Sequence, residues 1–128
     1  MEIDHLTIPV RSYDVGKRFY ADALEPLGFR VLLDWPDRRR AYLGVAGAPS
    51  SIWVVETPNA GTLDVALALA DRDEVIAFHN AAVAAGARSL GGPAKSEDMR
   101  GCYAARIADF DGNVIEAICR EAAASLAA

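Results

Sequence analysis

Asp4-His5-Leu6-Thr7-Ile8-Pro9-Val10 and, 59 positions later, Leu63-Asp64-Val65-Ala66-Leu67-Ala68-Leu69 are the stretches that decide the fold. In the first, Leu6, Ile8 and Val10 alternate with His5, Thr7 and Pro9; in the second, Val65, Leu67 and Leu69 alternate with Asp64, Ala66 and Ala68. A period of two predicts a strand with one face under another layer. Each stretch is followed by a helix signal. Ser12 can cap a helix over about 13–27, where Val15, Phe19, Ala23, Leu24 and Leu27 recur at three- and four-residue spacing, and Gly28 stops it. Asp71, with Glu74 three residues on, caps a second helix over about 72–85 that turns Val75, Phe78, Ala82 and Ala85 inward, and Gly86 closes it. The same shift that lays His5 on Asp64 lays Phe19 on Phe78.

Three strand-like runs follow the first helix: Phe29–Asp34, Arg39–Val45 and Ser51–Glu56, separated by Trp35-Pro36-Asp37 and Gly47-Ala48-Pro49. After the second helix come a short strand at Arg88–Leu90, a polar loop at Gly91–Arg100 and a strand at Cys102–Ala108. The Asp109-Phe110-Asp111-Gly112-Asn113 turn then leads into a last strand, Val114–Cys119. The order is βαβββ written twice, an internal repeat of one supersecondary unit. Module one covers about 1–58 and module two about 62–119 of a single domain spanning 1–128, with a C-terminal tail at 120–128; its Ala-rich end, Glu121–Ala128, is expected to be helical or frayed.

Composition sets the limits. The 128 residues are 52% hydrophobic and 24% charged, enough to bury a core without disulfides. A formal net charge of −5 argues against nucleic acid or an anionic membrane as partner. No apolar run approaches the roughly 20 residues needed to cross a bilayer. The N-terminus lacks the basic start and apolar stretch of a secretory signal. Two cysteines, Cys102 and Cys119, do not make a disulfide framework. A cytoplasmic location is the expectation.

A strand–helix–three-strand unit has one sheet face under its helix and one free. Leu6, Ile8 and Val10 fit the helix face, so His5 points to the free one, and Asp64 does the same in the second module. Glu56 and Glu116, 60 positions apart, stand as counterparts on the last strands and can point the same way. If the modules pair by pseudo-twofold symmetry, one imidazole and three carboxylates converge in a cup. They cannot sit there unpaired. A divalent cation would resolve the clash.

These residues carry a family resemblance. Asp4–Val10, the helix with Phe19-Tyr20, and Ile107-Ala108-Asp109-Phe110-Asp111-Gly112-Asn113-Val114-Ile115-Glu116 resemble the vicinal-oxygen-chelate superfamily, which includes glyoxalases, bleomycin-resistance proteins and extradiol dioxygenases. The resemblance covers nearly the whole chain. It implies an α+β glyoxalase-like fold, two paired βαβββ modules forming a cup-shaped mixed sheet, and a homodimer. It also implies a divalent metal (Zn, Ni, Mn or Fe), with His5 matching the first ligand and Glu116 the last, and Asp64 is a further candidate ligand. Glu56 matches the glutamate that some members use from the end of the first module. Where many relatives have a second-module His, this chain has Asp64, and its other histidine, His79, lies on the second helix. That disfavours a 2-His-1-carboxylate iron site.

Two functions follow. The first is a metal-dependent lyase or isomerase whose cation chelates neighbouring oxygens of a small substrate, with Glu56 or Asp64 moving the proton. The alternative is a metal-free protein that sequesters a small molecule in the same cup, as bleomycin-resistance proteins do. A third reading makes the cup only a dimer seam. Tyr103 is expected to share a face with Glu116 if the turn centres on Asp111-Gly112, with Cys102 on the opposite face as a small buried hydrophobe. Arg40 belongs to the Asp37-Arg38-Arg39-Arg40 tip, which is either a solvated turn or a reader of anionic substrates. Met99 and Arg100 sit on a rim loop with access to a ligand. Trp53 alternates away from Glu56 and reads as core.

Overall fold

A computed structural model describes residues 1–59 and 61–121. The first module runs β1 (His5–Val10), α1 (Tyr13–Leu24), β2 (Arg30–Trp35), β3 (Arg40–Gly44) and β4 (Ser51–Glu56). The second runs β5 (Asp64–Ala68), α2 (Arg72–Ala84), β6 (Arg88–Lys95), β7 (Cys102–Ala108) and β8 (Val114–Arg120). Each makes a four-stranded mixed sheet of the same topology, β1-β4-β3-β2 and β5-β8-β7-β6. First and last strands pair in parallel, and the remaining pairs are antiparallel. This is the α+β, glyoxalase-like arrangement. The tail expected from 120 begins later, because Arg120 still belongs to β8; of the end expected to be helical or frayed, residues 122–128 lie outside the described residues.

Local chemistry explains the helix ends. Ser12 is extended at φ −128° and ψ 117°, and its Oγ accepts from the Val15 amide at 3.3 Å. The first helix stops at Leu24, earlier than its apolar spacing predicts, and tightens into one 3₁₀ turn over Glu25–Leu27. Pro26 has no amide to continue the ladder and its ring crowds the preceding turn. Gly28 then reverses the chain at φ 84°. Val15, expected to face inward, is 46% exposed. In α2 the Asp71 carboxylate accepts from the Glu74 amide at 2.9 Å, while the Glu74 carboxylate accepts from the Ala70 amide at 2.8 Å. The capping box is closed one residue early.

The second module corrects one expectation. Residues 91–95, expected in a loop, belong to β6, which carries register shifts between Ser89 and Gly91 and between Gly91 and Ala94. Gly91-Gly92-Pro93 is compatible with a strand there because β6 is an edge and Pro93 need not donate to a neighbour.

Both helices and the inner sheet faces share one core. Ile8, Val10, Phe19, Tyr20, Leu24 and Val54 join Val75, Phe78, Ala82, Ile107, Ile115 and Ala117 in a continuous buried cluster. The modules are also tied by the β7–β8 turn. Asp109 accepts from the amides of Asp111 and Asn113 at 2.9 Å each, from the Tyr20 hydroxyl at 2.6 Å and from Asn113 Nδ2 at 2.8 Å. Asn113 Nδ2 also donates to the Pro9 carbonyl at 2.8 Å, and its Oδ1 accepts from the Leu63 amide at 2.8 Å. The buried Asp109 and Asn113 of the Asp-x-Asp-Gly-Asn run thus clip module two to the first strand and helix of module one.

Candidate functional site

Register decides which side chains share the open faces. In the first sheet, Leu6, Ile8 and Val10 pair with Ile52, Val54 and Glu56, while His5, Thr7 and Pro9 pair with Ser51, Trp53 and Val55. Paired residues project to the same side of a sheet. Glu56 therefore lies on the helix face. Its Oε2 accepts from the Tyr13 amide at 3.0 Å, in the first turn of α1, and its Oε1 is 3.7 Å from Arg39 Nε. The expectation that Glu56 turns into the cup as base or ligand is corrected. The alternation that puts Ile52 and Val54 under α1 carries Glu56 with them.

The second sheet differs. Ala66 pairs with Glu116, and Glu116 pairs in turn with Arg106. Asp64, two residues from Ala66, shares their face, so Asp64 and Glu116 lie together on the open side with Arg106. The module repeat has a consequence here. Thr7 and Ala66 are equivalent, and their partners are Trp53 and Glu116. Glu116 is the counterpart of Trp53, not of Glu56.

The β7–β8 register also corrects the placement of Tyr103. Ala108 pairs with Val114, so the turn centres on Asp111 alone, half a residue from the centre assumed above. Such a slip exchanges the faces. Tyr103 pairs with Cys119 on the face opposite Glu116, and the Arg72 guanidinium lies over its ring at 4.5 Å. Cys102 is on the Glu116 side, buried as expected, and Arg120 is its partner. Burial pushes the Cys119 thiol up, away from nucleophilic character. Met99 and Arg100 belong to the β6–β7 turn, where Ser96 Oγ accepts from the Met99 amide at 3.0 Å. This turn is at the end of β7 remote from Asp64.

His5 is half exposed, and its Nδ1 donates to the Asp4 carboxylate at 2.8 Å. His79 is engaged at 2.8 Å with Ser89 Oγ. Among the described residues no three His, Cys, Asp or Glu side chains come together in a group that could hold a metal ion. The donor set predicted from sequence is split: His5 on the first sheet, Asp64 and Glu116 on the second, Glu56 turned to the helix. It does not fit a cation within one chain.

What the sequence reading missed is aromatic. Trp53, read as core, is only partly buried and sits on the open face of the first sheet. Tyr42 pairs with it across β3–β4, and their ring centroids are 4.7 Å apart. Trp35, 38% exposed, is 5.4 Å from Trp53 at an interplanar angle of 40°. The Arg40 guanidinium lies over Trp53 at 5.4 Å, and that of Arg38 over Trp35 at 5.2 Å. Tyr42 is steadied by the Ser51 hydroxyl, which donates to its oxygen at 2.5 Å. The signal was present in the alternation of β4: once Ile52 and Val54 are assigned inward, Trp53 must face out.

Two βαβββ modules, each a four-stranded mixed sheet with one helix, define the glyoxalase-like class. Residues 2–117 match the model of the Glyoxalase/Bleomycin resistance protein/Dioxygenase superfamily, and the chain belongs to that superfamily. No curated protein matches the sequence. Among solved structures, a glyoxalase/bleomycin resistance protein from Albidiferax ferrireducens T118 is 24% identical over 92% of this chain and 98% of its own, with a TM-score of 0.74. TnmS3, an antibiotic binding protein from Streptomyces sp. CB03234, is 26% identical over 94% of this chain and 97% of its own, with a TM-score of 0.68. Lactoylglutathione lyase from Agrobacterium tumefaciens is 16% identical over 92% of each chain, with a TM-score of 0.69.

Proposed function

We propose that this chain binds a small organic molecule on the open face of its first sheet, and that binding needs no metal. The observation that carries the reading is the Trp35–Tyr42–Trp53 cluster, with Trp53 occupying in module one the position that Glu116 holds in module two. Aromatic faces left partly open on a rigid sheet suit planar ligands and cost little conformational entropy when they are covered. Similarity to an antibiotic binding protein agrees with it.

The second reading, a metal-dependent lyase or isomerase, is favoured by Asp64 and Glu116 sharing one open face and by similarity to lactoylglutathione lyase. It needs His5 or another donor from a second copy. A homodimer suits either reading. All six residues of the edge strand β2 are exposed, Val31, Leu32 and Leu33 among them, and such an edge calls for a cover. A cytoplasmic location accords with two unpaired, buried thiols, and no helix among the described residues is long and apolar enough to cross a membrane.

A thermal-shift screen of planar small molecules, run with and without EDTA, tests the choice. Stabilisation that survives the chelator supports the binder. Stabilisation that appears only with added Mn, Ni or Zn, and is lost in Glu116→Gln, overturns it in favour of the metal reading.

A further inference from the structure

The three consecutive arginines after Pro36 do different things. Arg39 takes up the left-handed conformation at φ 54°, unusual for a residue with a side chain. It reaches back to Glu56 on the helix side. The turn around it leaves Arg38 and Arg40 on the open side, each laid over a tryptophan. Among the described residues neither Arg38 nor Arg40 forms an ion pair. Nearby carboxylates are committed elsewhere: Asp34 to Lys17 at 2.9 Å and Glu56 to Tyr13 and Arg39. Asp37 shares the turn without pairing to either arginine. On a chain with net charge −5, two uncompensated guanidiniums over aromatic rings are a local exception.

A guanidinium over an indole is held by the ring's quadrupole, and with no carboxylate paired to it its N–H groups stay available to a ligand. It is a pre-oriented fork for a carboxylate, sulfonate or phosphate at the edge of a planar body. We propose that the ligand class of this face is a planar aromatic anion: its ring system lies against Trp35, Tyr42 and Trp53, and its charged group is met by Arg40 and Arg38. This rests on the small-molecule reading above and specifies the charge and shape of what is bound.

The test uses three probes of one shape and different charge: naphthalene-2-sulfonate, 2-naphthamide and 2-naphthyltrimethylammonium, titrated into the full chain by calorimetry. The sulfonate is expected to bind tightest, about tenfold better than the cation, a ratio equivalent to one charge-assisted contact. Arg40→Gln should weaken the sulfonate about five- to tenfold and leave the amide unchanged. Trp53→Leu should weaken all three, and Trp53→Phe should restore part of the loss. Equal binding of the three probes, or preference for the cation, with Trp53→Leu still weakening them, overturns the anion inference and leaves the binding face intact. No binding by any probe, or indifference to Trp53→Leu, overturns both. A change of oligomeric state in Trp53→Leu without any probe binding also overturns both, since the face would then be covered by a second copy.

Discussion

Glu56 accepts a hydrogen bond from the backbone amide of Tyr13 at 3.0 Å, joining the end of β4 to the first turn of α1. Together with Ser12 it satisfies amides that a helix N-terminus leaves without partners, and it places a negative charge at the positive end of the helix dipole. Glu56→Ala should therefore destabilise the fold by about 0.5–2 kcal/mol, the range of a lost N-terminal cap. Ligand affinity should stay within about twofold of wild type, since each 1.4 kcal/mol is a tenfold change and no contact to the open face is removed. Urea unfolding and the thermal-shift screen, run on the same preparation, check both halves. Loss of ligand binding with unchanged stability would return Glu56 to the site.

Most of the fold was legible because hydrophobic periodicity and helix stops are local signals. Leu6/Ile8/Val10, Val65/Leu67/Leu69, Gly28 and Gly86 place the elements without knowledge of their neighbours. The site depends on parity, which is less forgiving. Glu56 and Glu116 are both glutamates near the ends of last strands, and a 60-residue separation makes them look equivalent. Their true registers differ: Glu56 pairs with Val10 and Glu116 with Ala66, the counterpart of Thr7, so the two stand an odd three residues apart in the sheet and on opposite faces. Pairing, not spacing, sets that offset. The turn at Asp111 is the same lesson on a smaller scale. Moving its centre by half a residue takes Tyr103 off the face of Glu116 and puts Arg106 on it.

The clip at Asn113 makes a sharper stability prediction. Its side chain is fully buried and bonds Pro9, Leu63 and Asp109. Asn113→Ala leaves a backbone amide and a carbonyl without those partners, at a cost of about 2–4 kcal/mol. Asn113→Asp, nominally the mildest change, should be at least as damaging: it loses the donors to Pro9 and Asp109 and sets a second carboxylate against the first. Chemical denaturation of both variants checks the order. A near-wild-type Asn113→Asp would mean the network is not a coupled unit.

Gly16 tests whether propensity or packing governs α1. Replacing a mid-helix glycine by alanine ordinarily gains up to about 1 kcal/mol. Here a Cβ would stand 2.8 Å from Val10 Cγ2 and 2.9 Å from Val10 Cβ. Val10 is 1% exposed and has no room to yield. Overpacking of this kind costs about 1–3 kcal/mol, so the clash wins and Gly16→Ala should lower the melting temperature. The double variant Gly16→Ala with Val10→Gly, which removes the Cβ as well as the methyls, should recover the helix gain relative to Val10→Gly alone. Failure of that recovery would locate the strain elsewhere.

Tyr20 predicts how the protein fails in alkali. Burial, then the Asp109 carboxylate 2.6 Å away, push its phenol far above the ordinary value near 10. The folded state holds this proton where the unfolded chain releases it. The stabilisation is fully present below pH about 10 and is lost as pH rises further, because only the unfolded state gains by ionising. Above pH 10 the unfolding free energy should fall with a slope approaching about 1.4 kcal/mol per pH unit for this one proton. Tyr20→Phe removes the titrating group along with its bond to Asp109. It should be less stable than wild type by about 1.5–3 kcal/mol at pH 8, the range for a hydrogen bond to a charged partner, and should lose that share of the alkaline slope. Urea titrations at pH 8, 10 and 11 separate the two effects. If the variant keeps the full wild-type slope, the proton that governs alkaline unfolding is not held at Tyr20.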